Sequence, residues 1–318
     1  MKFIWLSPSL LGEGFRERQK DKGKVCRTFY YLVFKVLYMN DLNLKDKVAV
    51  ITGGAGIICS TMAKSLAACG VKTVILDLNK DTATEVAAQI EKEFKTPSFG
   101  VSASVLDKVS LEAARKEIHE KFGPIDILVN GAGGNSPAAT TKVEKMDGTE
   151  NEKLEDTFFG LQIEGFDKVF DLNFKGTLIP SMVFGTDLVG KKSGVILNIS
   201  SMNSYRPLTK IAAYSAAKAA VNNFTQWLAV HFAKTGVRVN AIAPGFLLTN
   251  QNSFLLIDEK SGGLTPRGKK IINGTPMERY CLPEELTGTL IYLVSDLSKF
   301  VTGVVIPVDG GFSAYSGV

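Results

Sequence analysis

Short apolar runs alternate with stretches of helical periodicity from residue 44 to residue 318. Six runs have the length of a β-strand and are mainly apolar, which indicates strands buried on both faces. They cover residues 48–51, 74–76, 125–129, 195–199, 237–242 and 304–308, and residues 99–101 form a weaker seventh candidate. Between them, apolar side chains recur every three or four residues, as in helices packed on a sheet. The alternation predicts an α/β fold: a doubly wound parallel sheet of about seven strands in a single domain.

Two longer segments interrupt this alternation. Residues 135–164 are polar and follow the run at 125–129, and residues 246–282 follow the run at 237–242. Loops that follow the carboxyl ends of parallel strands are where such sheets bind their ligands. We therefore expect both segments to shape a substrate site.

Residues 1–40 lie outside the pattern and hold two apolar runs, residues 3–11 and 29–39. Each run is too short to cross a bilayer, although the basic residues between them leave a membrane-surface or targeting role open. We favour a disordered extension, or a start site assigned too far upstream with Met39 as the natural beginning. The predicted folded domain therefore occupies residues 41–318, and no membrane partner is expected.

The net charge of +5 is concentrated at one end of the chain. Residues 1–38 carry eight Lys and Arg against three Asp and Glu, so the charges of residues 39–318 cancel. A folded body without a basic surplus has no field to attract nucleic acid. A nucleic-acid partner is therefore not expected.

Cysteine and histidine usage narrows the class further. The four cysteines, Cys26, Cys59, Cys69 and Cys281, are scattered and form no Cys-x-x-Cys pair. This usage is typical of reduced thiols in a cytoplasmic protein. The two histidines have no metal-ligand spacing, so no metal site is predicted.

A glycine-rich turn joins the first strand to the first helix. Its residues with a predicted role in binding a cofactor are Thr52, Gly53, Gly54, Gly56 and Ile57. Glycines allow a tight turn and let the backbone approach a pyrophosphate, whose charge the amides of the helix N-terminus can meet. Cys59 stands where a third glycine is usual. We therefore expect a distorted turn that still binds the cofactor.

Asp77 follows the next strand, 21 residues after Gly56. A carboxylate at this position can accept hydrogen bonds from the adenosine ribose and would repel a 2′-phosphate. Asp77 therefore favours NAD over NADP, although Asp77 alone could equally be a helix N-cap, and the nearby Lys80 blurs the preference.

Tyr214 and Lys218 lie four residues apart, one turn along a predicted helix. A phenol with an ordinary pKa near 10 is a poor proton carrier at neutral pH. A neighbouring ammonium group favours the phenolate, so we expect Lys218 to lower the pKa of Tyr214. This spacing occurs by chance in many helices, so its meaning depends on the residues around it.

Those residues complete a recognisable set. Ser201 precedes Tyr214 by 13 residues, Asn173 falls in the helix after the fourth strand, and Pro244-Gly245 follows the sixth strand. In order and spacing the set resembles the short-chain dehydrogenase/reductase family over residues 44–318. The resemblance implies a Rossmann-like fold and an NAD-dependent oxidoreductase.

The resemblance also implies the role of each residue. Tyr214 donates the proton to a carbonyl oxygen, Lys218 lowers the tyrosine pKa and binds the nicotinamide ribose, and Ser201 polarises the carbonyl. Asn173 positions a water for proton relay. The implied cofactor contacts, besides the glycine-rich turn and Asp77, are Val105, Asn130, Ala132, Gly133, Tyr214, Lys218, Pro244, Gly245 and Thr249.

Two positions depart from the family pattern. Asn130-Gly131 replaces the usual pair of asparagines, which puts a strand-bridging hydrogen bond in doubt. Ser104 stands where an aspartate that contacts adenine is usual. Neither departure touches the expected chemistry.

The loops resemble a narrower branch, the D-mannonate oxidoreductases (fructuronate reductases). The matching segments are residues 130–141, 200–208, 264–268 and 309–318. This resemblance implies NADH-linked reduction of the ketone of D-fructuronate, a sugar acid whose carboxylate needs a cationic partner. Arg206 is the first choice, Lys210 and Arg267 are alternatives, and Asn135 and Asn203 are candidate hydroxyl partners.

Three alternatives stay open. The substrate could be another sugar acid or a polyol, as in gluconate-type dehydrogenases, or the chain could be a regulatory protein that binds nucleotide without turnover. The set of Ser201, Tyr214, Lys218 and Asn173 argues against the regulatory protein, because a sensor needs no proton donor. A membrane-associated role for residues 29–39 is the third alternative.

Family relatives are usually dimers or tetramers, so a homotetramer is expected.

Overall fold

The computed structural model describes residues 42–149, 152–248, 253–258 and 262–317. The predicted extension of residues 1–40 and the predicted cofactor contact Thr249 lie outside these described residues. The compact folded unit begins at Leu44.

Seven parallel strands form one sheet, as the apolar runs predict. In sheet order they run β3-β2-β1-β4-β5-β6-β7. Their bounds are β1 Val48–Thr52, β2 Lys72–Asp77, β3 Ser98–Ser102, β4 Ile127–Asn130, β5 Gly194–Ile199, β6 Val237–Pro244 and β7 Val305–Val308. Strands β1, β4, β5 and most of β2 are buried, because helices cover both faces of the sheet. The predicted doubly wound sheet is confirmed.

Helices connect successive strands. In the described residues they are α1 Ile57–Ala68, α2 Lys80–Phe94, α3 Lys108–Phe122, α4 Ile163–Phe170, α5 Gly176–Lys191, α6 Ala212–His231, α7 Ser253–Leu256, α8 Pro266–Asn273 and α9 Thr287–Val294. A single π-helical turn, Asp171–Lys175, joins α4 to α5. None of the helices in the described part of the chain is long and apolar enough to span a bilayer.

The strand order reverses between β1 and β4, and this reversal opens a crevice at their carboxyl ends. The Thr52 hydroxyl links the end of β1 to the chain after β4. It accepts hydrogen bonds from the amides of Gly131 at 3.0 Å and Ala132 at 3.2 Å. The predicted substrate segments 135–164 and 246–282 follow β4 and β6 at this same edge of the sheet. Nucleotide and substrate crevices of doubly wound folds occur at such a switch point.

Candidate active site

The glycine-rich turn forms one wall of the crevice. Gly53 has a φ of +61°, and a Cβ there would lie 2.9 Å from the Cα of Ala132. Glycine is therefore required both by the backbone conformation and by the close approach of the chain after β4. Helix α1 begins at Ile57 directly after this turn, so the amides of its first turn are available to an anion.

A cleft of about 340 Å³ lies against this turn. Its lining includes seven predicted cofactor contacts: Gly53, Gly56, Ile57, Asp77, Val105, Ala132 and Gly133. Thr52 is fully buried and its hydroxyl holds the chain after β4, while a Cβ at the buried Gly54 would lie 2.7 Å from the carbonyl oxygen of Ile51. Thr52 and Gly54 therefore support the cleft from behind, and their direct contact with the cofactor stays a prediction.

Asp77 stands at the edge of the cleft with its carboxylate held by the backbone. One oxygen accepts from the amide of Ala55 at 3.1 Å, and the other accepts from the amide of Leu78 at 2.8 Å. The helix-cap alternative does not hold, because the Asn79 side chain caps α2. Lys80 donates to the carbonyl oxygen of Gly100 at 2.9 Å rather than to Asp77. The carboxylate keeps lone pairs for a ribose diol.

Two residues of this cleft that depart from the family pattern, Cys59 and Gly131, compensate each other. Cys59 is buried in α1, and a Cβ at Gly131 would lie only 2.1 Å from the Cys59 Sγ. The thiol thus fills space that a side chain at residue 131 would need. Burial raises the pKa of the Cys59 thiol to about 12, so it acts as a small apolar group.

Asn130 belongs to the sheet rather than to the cleft. Its amide nitrogen donates to the Asn198 Oδ1 and to the Ser181 hydroxyl, each at 2.9 Å. The strand-bridging bond that the sequence left in doubt is therefore present, linking β4 to β5. Asn130 is 1% exposed, so its side chain supports the sheet, and its contact with the cofactor stays a prediction.

Ser201 and Tyr214 meet where β5 ends and α6 begins. The Ser201 side chain forms a hydrogen bond with Tyr214, and the Ser201 Oγ also accepts from the amide of Asn203 at 3.3 Å. Lys218 lies one turn further along α6, with its Nζ 5.7 Å from the centre of the Tyr214 ring. The same Nζ donates to the carbonyl oxygen of Ile199 at 2.8 Å. The structure brings these three predicted catalytic residues together.

The direction of the tyrosine pKa differs from the expectation. Burial raises the pKa of Tyr214 above its ordinary value, and the hydrogen bond with Ser201 opposes this only in part. Burial also lowers the pKa of Lys218 to about 8. Burial is the largest cause of both shifts in pKa. At neutral pH the site therefore holds a protonated phenol beside an ammonium group, the form needed to donate a proton.

Asn173 lies in the π-helical turn between α4 and α5. Its amide nitrogen donates to the carbonyl oxygens of Gly134 at 2.6 Å and Val169 at 2.8 Å. A Cβ at Gly133 would lie 2.7 Å from the Asn173 Oδ1 and 3.3 Å from the Lys218 Nζ. Only glycine lets these polar groups approach the cleft wall, and π-turns of this kind recur at functional sites.

The end of β6 completes the crevice. The amide of Gly245 donates to the carbonyl oxygen of Val308 at 2.9 Å, and a Cβ at Gly245 would lie 2.6 Å from the Cα of Asp309. Pro244 is the last residue of β6. This backbone is therefore fixed against β7 at the position predicted to hold the cofactor.

Arg206, the first-choice carboxylate partner, uses one of its donors in a structural contact. Its side chain is exposed, and its Nε donates to the carbonyl oxygen of Ser313 at 3.2 Å. The neighbouring Tyr205 hydroxyl donates to the carbonyl oxygen of Val305 at 2.9 Å. Arg206 therefore fastens the C-terminal residues to the loop after β5, which is a structural use of its donors.

The two candidate hydroxyl partners differ in access. Asn203 is 5% exposed, and its Oδ1 has no hydrogen-bond partner within the described residues. Asn135 is more open and donates to the Thr140 hydroxyl at 3.1 Å.

Lys210 and Arg267 converge on a carboxylate that the sequence analysis did not single out. Glu144 pairs with Lys270 at 2.7 Å, and this hydrogen bond, together with the charges of Lys270, Lys210 and Arg267, lowers the Glu144 pKa. Lys210 lies in the loop just before α6, four residues before Tyr214, and Arg267 and Lys270 lie on α8. Three cations and one carboxylate therefore gather where segments 135–164 and 246–282 meet near the start of α6.

The comparisons with known proteins agree with this geometry. A family model described as enoyl-(acyl carrier protein) reductase matches residues 54–313. The chain is 51% identical over 277 residues to the uncharacterized oxidoreductase UxuB of Bacillus subtilis (strain 168), covering 87% of this chain and 98% of that one. It is 31% identical over 277 residues to the 2-dehydro-3-deoxy-D-gluconate 5-dehydrogenase of Formosa agariphila, covering 86% and 96%.

A solved structure is similar over almost the same span. It is described as a candidate D-mannonate oxidoreductase from Haemophilus influenza with bound NAD, and it is 49% identical with a TM-score of 0.83. The alignment covers 88% of this chain and all of the solved one. The chain belongs to the short-chain dehydrogenase/reductase family. It is an NAD-dependent oxidoreductase.

The cleft fits NAD on its own features. The glycine turn admits a pyrophosphate to the amides at the start of α1, and the Asp77 carboxylate can accept from an adenosine ribose that lacks a 2′-phosphate. Gly133 brings Lys218 and Asn173 to the cleft wall.

Proposed function

We propose that this enzyme reduces the ketone of a sugar acid, D-fructuronate to D-mannonate, with NADH. The observation that carries this proposal is a group of cations around the Glu144 carboxylate: Lys210, which lies four residues before Tyr214, and Arg267, with Lys270 paired to the same carboxylate. The candidate D-mannonate oxidoreductase at 49% identity supports the choice of substrate.

The residues of the site supply the proton chemistry. Tyr214, held protonated by its burial, donates its proton to the ketone oxygen, and Ser201 hydrogen-bonds the same oxygen. Lys218 remains charged at neutral pH and stabilises the phenolate that forms. NADH, when bound, supplies the hydride to the carbonyl carbon.

Lys210 and Arg267 take the substrate carboxylate in this proposal. Pairing a carboxylate with a guanidinium and an ammonium offsets the cost of removing it from water, and a neutral sugar gains nothing from them. Asn135 and Asn203 remain the candidate partners for hydroxyl groups, and the buried Asn203 Oδ1 has no hydrogen-bond partner within the described residues.

A gluconate-type substrate is the second candidate. The relative named 2-dehydro-3-deoxy-D-gluconate 5-dehydrogenase also acts on a keto acid with a carboxylate. The same cations could serve either acid, so the pattern of hydroxyl groups would decide between them.

We further propose a cytoplasmic homotetramer. The described face of α6 leaves Trp227 57% exposed and Val230 78% exposed, and the Trp227 ring stacks on Phe224 and on His231. Large apolar side chains in such number on one helix face suit burial against a second copy. The cytoplasmic location rests on the scattered cysteines, of which Cys59, Cys69 and Cys281 are free thiols in the described residues.

Three charge-deleting variants test the substrate assignment. Lys210→Met and Arg267→Met should each lower kcat/KM for D-fructuronate by roughly 10-fold or more, because one partner of the carboxylate is lost. A neutral ketose should be affected much less. Arg206→Met is the matched control and should change kcat/KM neither for D-fructuronate nor for the neutral ketose. If Arg206→Met alone abolishes the preference for the acid, the carboxylate partner is wrongly assigned.

A further inference from the structure

The Glu144–Lys270 ion pair joins two segments that the sheet does not connect directly. Glu144 lies in the segment after β4 and Lys270 lies on α8, and their Nζ and Oε2 atoms are 2.7 Å apart although 126 residues separate them. Both side chains are accessible to solvent, with 67% of Lys270 and 35% of Glu144 exposed. Such a pair has no role in the core, so its position beside the substrate cations needs another explanation.

The Glu144 side of the pair is braced against the start of α6. The amide of Thr141 donates to the carbonyl oxygen of Lys210 at 3.0 Å. The amides of Lys142 and Val143 both donate to the carbonyl oxygen of Asp156, and the Lys142 ammonium pairs with the Asp156 carboxylate. Glu144 is therefore held at a fixed place relative to Lys210, and through it relative to Tyr214.

The Lys270 side is a small rigid unit. The Thr265 hydroxyl caps α8 by accepting from the amide of Gly268, and the amide of Thr265 donates to the carbonyl oxygen of Leu256. A Cβ at Gly268 would lie 2.4 Å from that same carbonyl oxygen, so α8 packs directly on α7. Arg267 and Lys270 are three residues apart, which places them on one face of α8. A displacement of Lys270 must therefore displace Arg267.

We propose that Glu144 and Lys270 are positioning residues that strap α8 to the loop after β4 and so set the distance between Arg267 and Lys210. The two cations can grip one carboxylate only while the strap is closed. This inference rests on the proposed sugar-acid function for its substrate, but not for its geometry. An exposed ion pair is weak enough to open and close during turnover.

Substitutions that remove one charge test the strap kinetically. Glu144→Gln and Lys270→Met should each raise KM for the sugar acid by roughly 3- to 5-fold, with a smaller change in kcat and an unchanged Kd for NADH. Lys270→Arg, which keeps the cation, should behave as the parent. The double variant should be no worse than either single one, because the two residues act through one contact. Glu112→Gln, which breaks an exposed ion pair with Lys108 on α3, is the matched control.

Hydrogen exchange supplies a readout that needs no substrate. Amides of α8 should exchange faster in Glu144→Gln and Lys270→Met, and at the parental rate in Lys270→Arg and Glu112→Gln. That result supports the strap even if no sugar acid is reduced, in which case only the proposed substrate fails. Unchanged exchange in the two charge-deleting variants overturns the strap. A lower KM in Glu144→Gln also overturns it, because Glu144 would then compete with the substrate carboxylate for the cations.

Discussion

Gly131→Ala brings a side chain into space that the Cys59 thiol already fills. The new Cβ would lie 2.1 Å from the Cys59 Sγ and 3.0 Å from the carbonyl oxygen of Thr52. Carbon and sulfur atoms in contact normally stay about 3.5 Å or more apart, so α1 or the chain after β4 must move by more than ~1 Å. Overpacking of this kind costs about 1–3 kcal/mol, and we expect the free energy of unfolding to fall by about 2 kcal/mol.

The same displacement should reach the cofactor. The amides of Gly131 and Ala132 both donate to the Thr52 hydroxyl, and Ala132 packs against Gly53 in the glycine turn. Moving this chain tilts the floor of the cleft, so the Kd for NADH should rise by roughly 10-fold, the equivalent of about 1.4 kcal/mol.

A double-mutant cycle with Cys59→Ala isolates the thiol. Without the Sγ, the nearest atom of residue 59 to the new Cβ is the Cys59 Cβ at 3.7 Å, an ordinary contact. Gly131→Ala should then cost less than about 1 kcal/mol, and NADH affinity should return toward the parental value. Urea unfolding at a fixed protein concentration and NADH fluorescence titration measure the two effects.

Gly190→Ala in α5 is the control, since its added Cβ meets nothing within 4 Å. If Gly131→Ala costs the same in both backgrounds, the Cys59 thiol is not what makes glycine necessary at residue 131.

Three further predictions concern the cofactor, pH and assembly. Asp77→Ala should weaken NADH binding and relax discrimination against NADPH, measured as the ratio of kcat/KM with NADH to kcat/KM with NADPH. A preference of the parent enzyme for NADPH would contradict the role of Asp77. Burial lowers the Lys218 pKa from 10.5 to about 8, so the unfolded chain binds more protons than the folded one between these values. The stability of the parent relative to Lys218→Met should therefore rise as pH increases from about 8 to about 10 in urea titrations, and a constant difference would argue against a buried charge. Light scattering at micromolar concentration should give a tetramer, and a monomer would refute the assembly proposal.

The strands could be predicted because a parallel strand covered on both faces must be mainly apolar. The boundaries were less certain where an apolar residue serves another purpose. The run predicted at 125–129 begins before β4, whose first residue is Ile127. The amide of Ile125 instead donates to the carboxylate of Asp187 at 3.2 Å, a buried group that Arg115 and His119 also bind. No local pattern reveals a partner that lies 62 residues away.

The catalytic residues could be predicted because they are close in sequence: Tyr214 and Lys218 are neighbours on one helix, and Ser201 lies 13 residues before Tyr214. The sequence could not predict the features that depend on distant contacts. Arg206 donates a hydrogen bond to the carbonyl oxygen of Ser313, 107 residues away. Glu144 contacts Lys270 only because α8 folds back over the loop after β4. The compensation between Cys59 and Gly131 needs the packing of α1 on β4. The raised pKa of Tyr214 needs its burial, which no spacing encodes.

NADH oxidation in the presence of D-fructuronate, compared between the parent enzyme and Tyr214→Phe, tests the central claim most directly. The parent should consume NADH and form D-mannonate. Tyr214→Phe, which removes the transferable proton but little volume, should bind NADH equally well and turn over about 100-fold more slowly or worse. No NADH consumption by the parent with D-fructuronate would contradict the substrate assignment, and near-parental turnover in Tyr214→Phe would contradict the catalytic site itself.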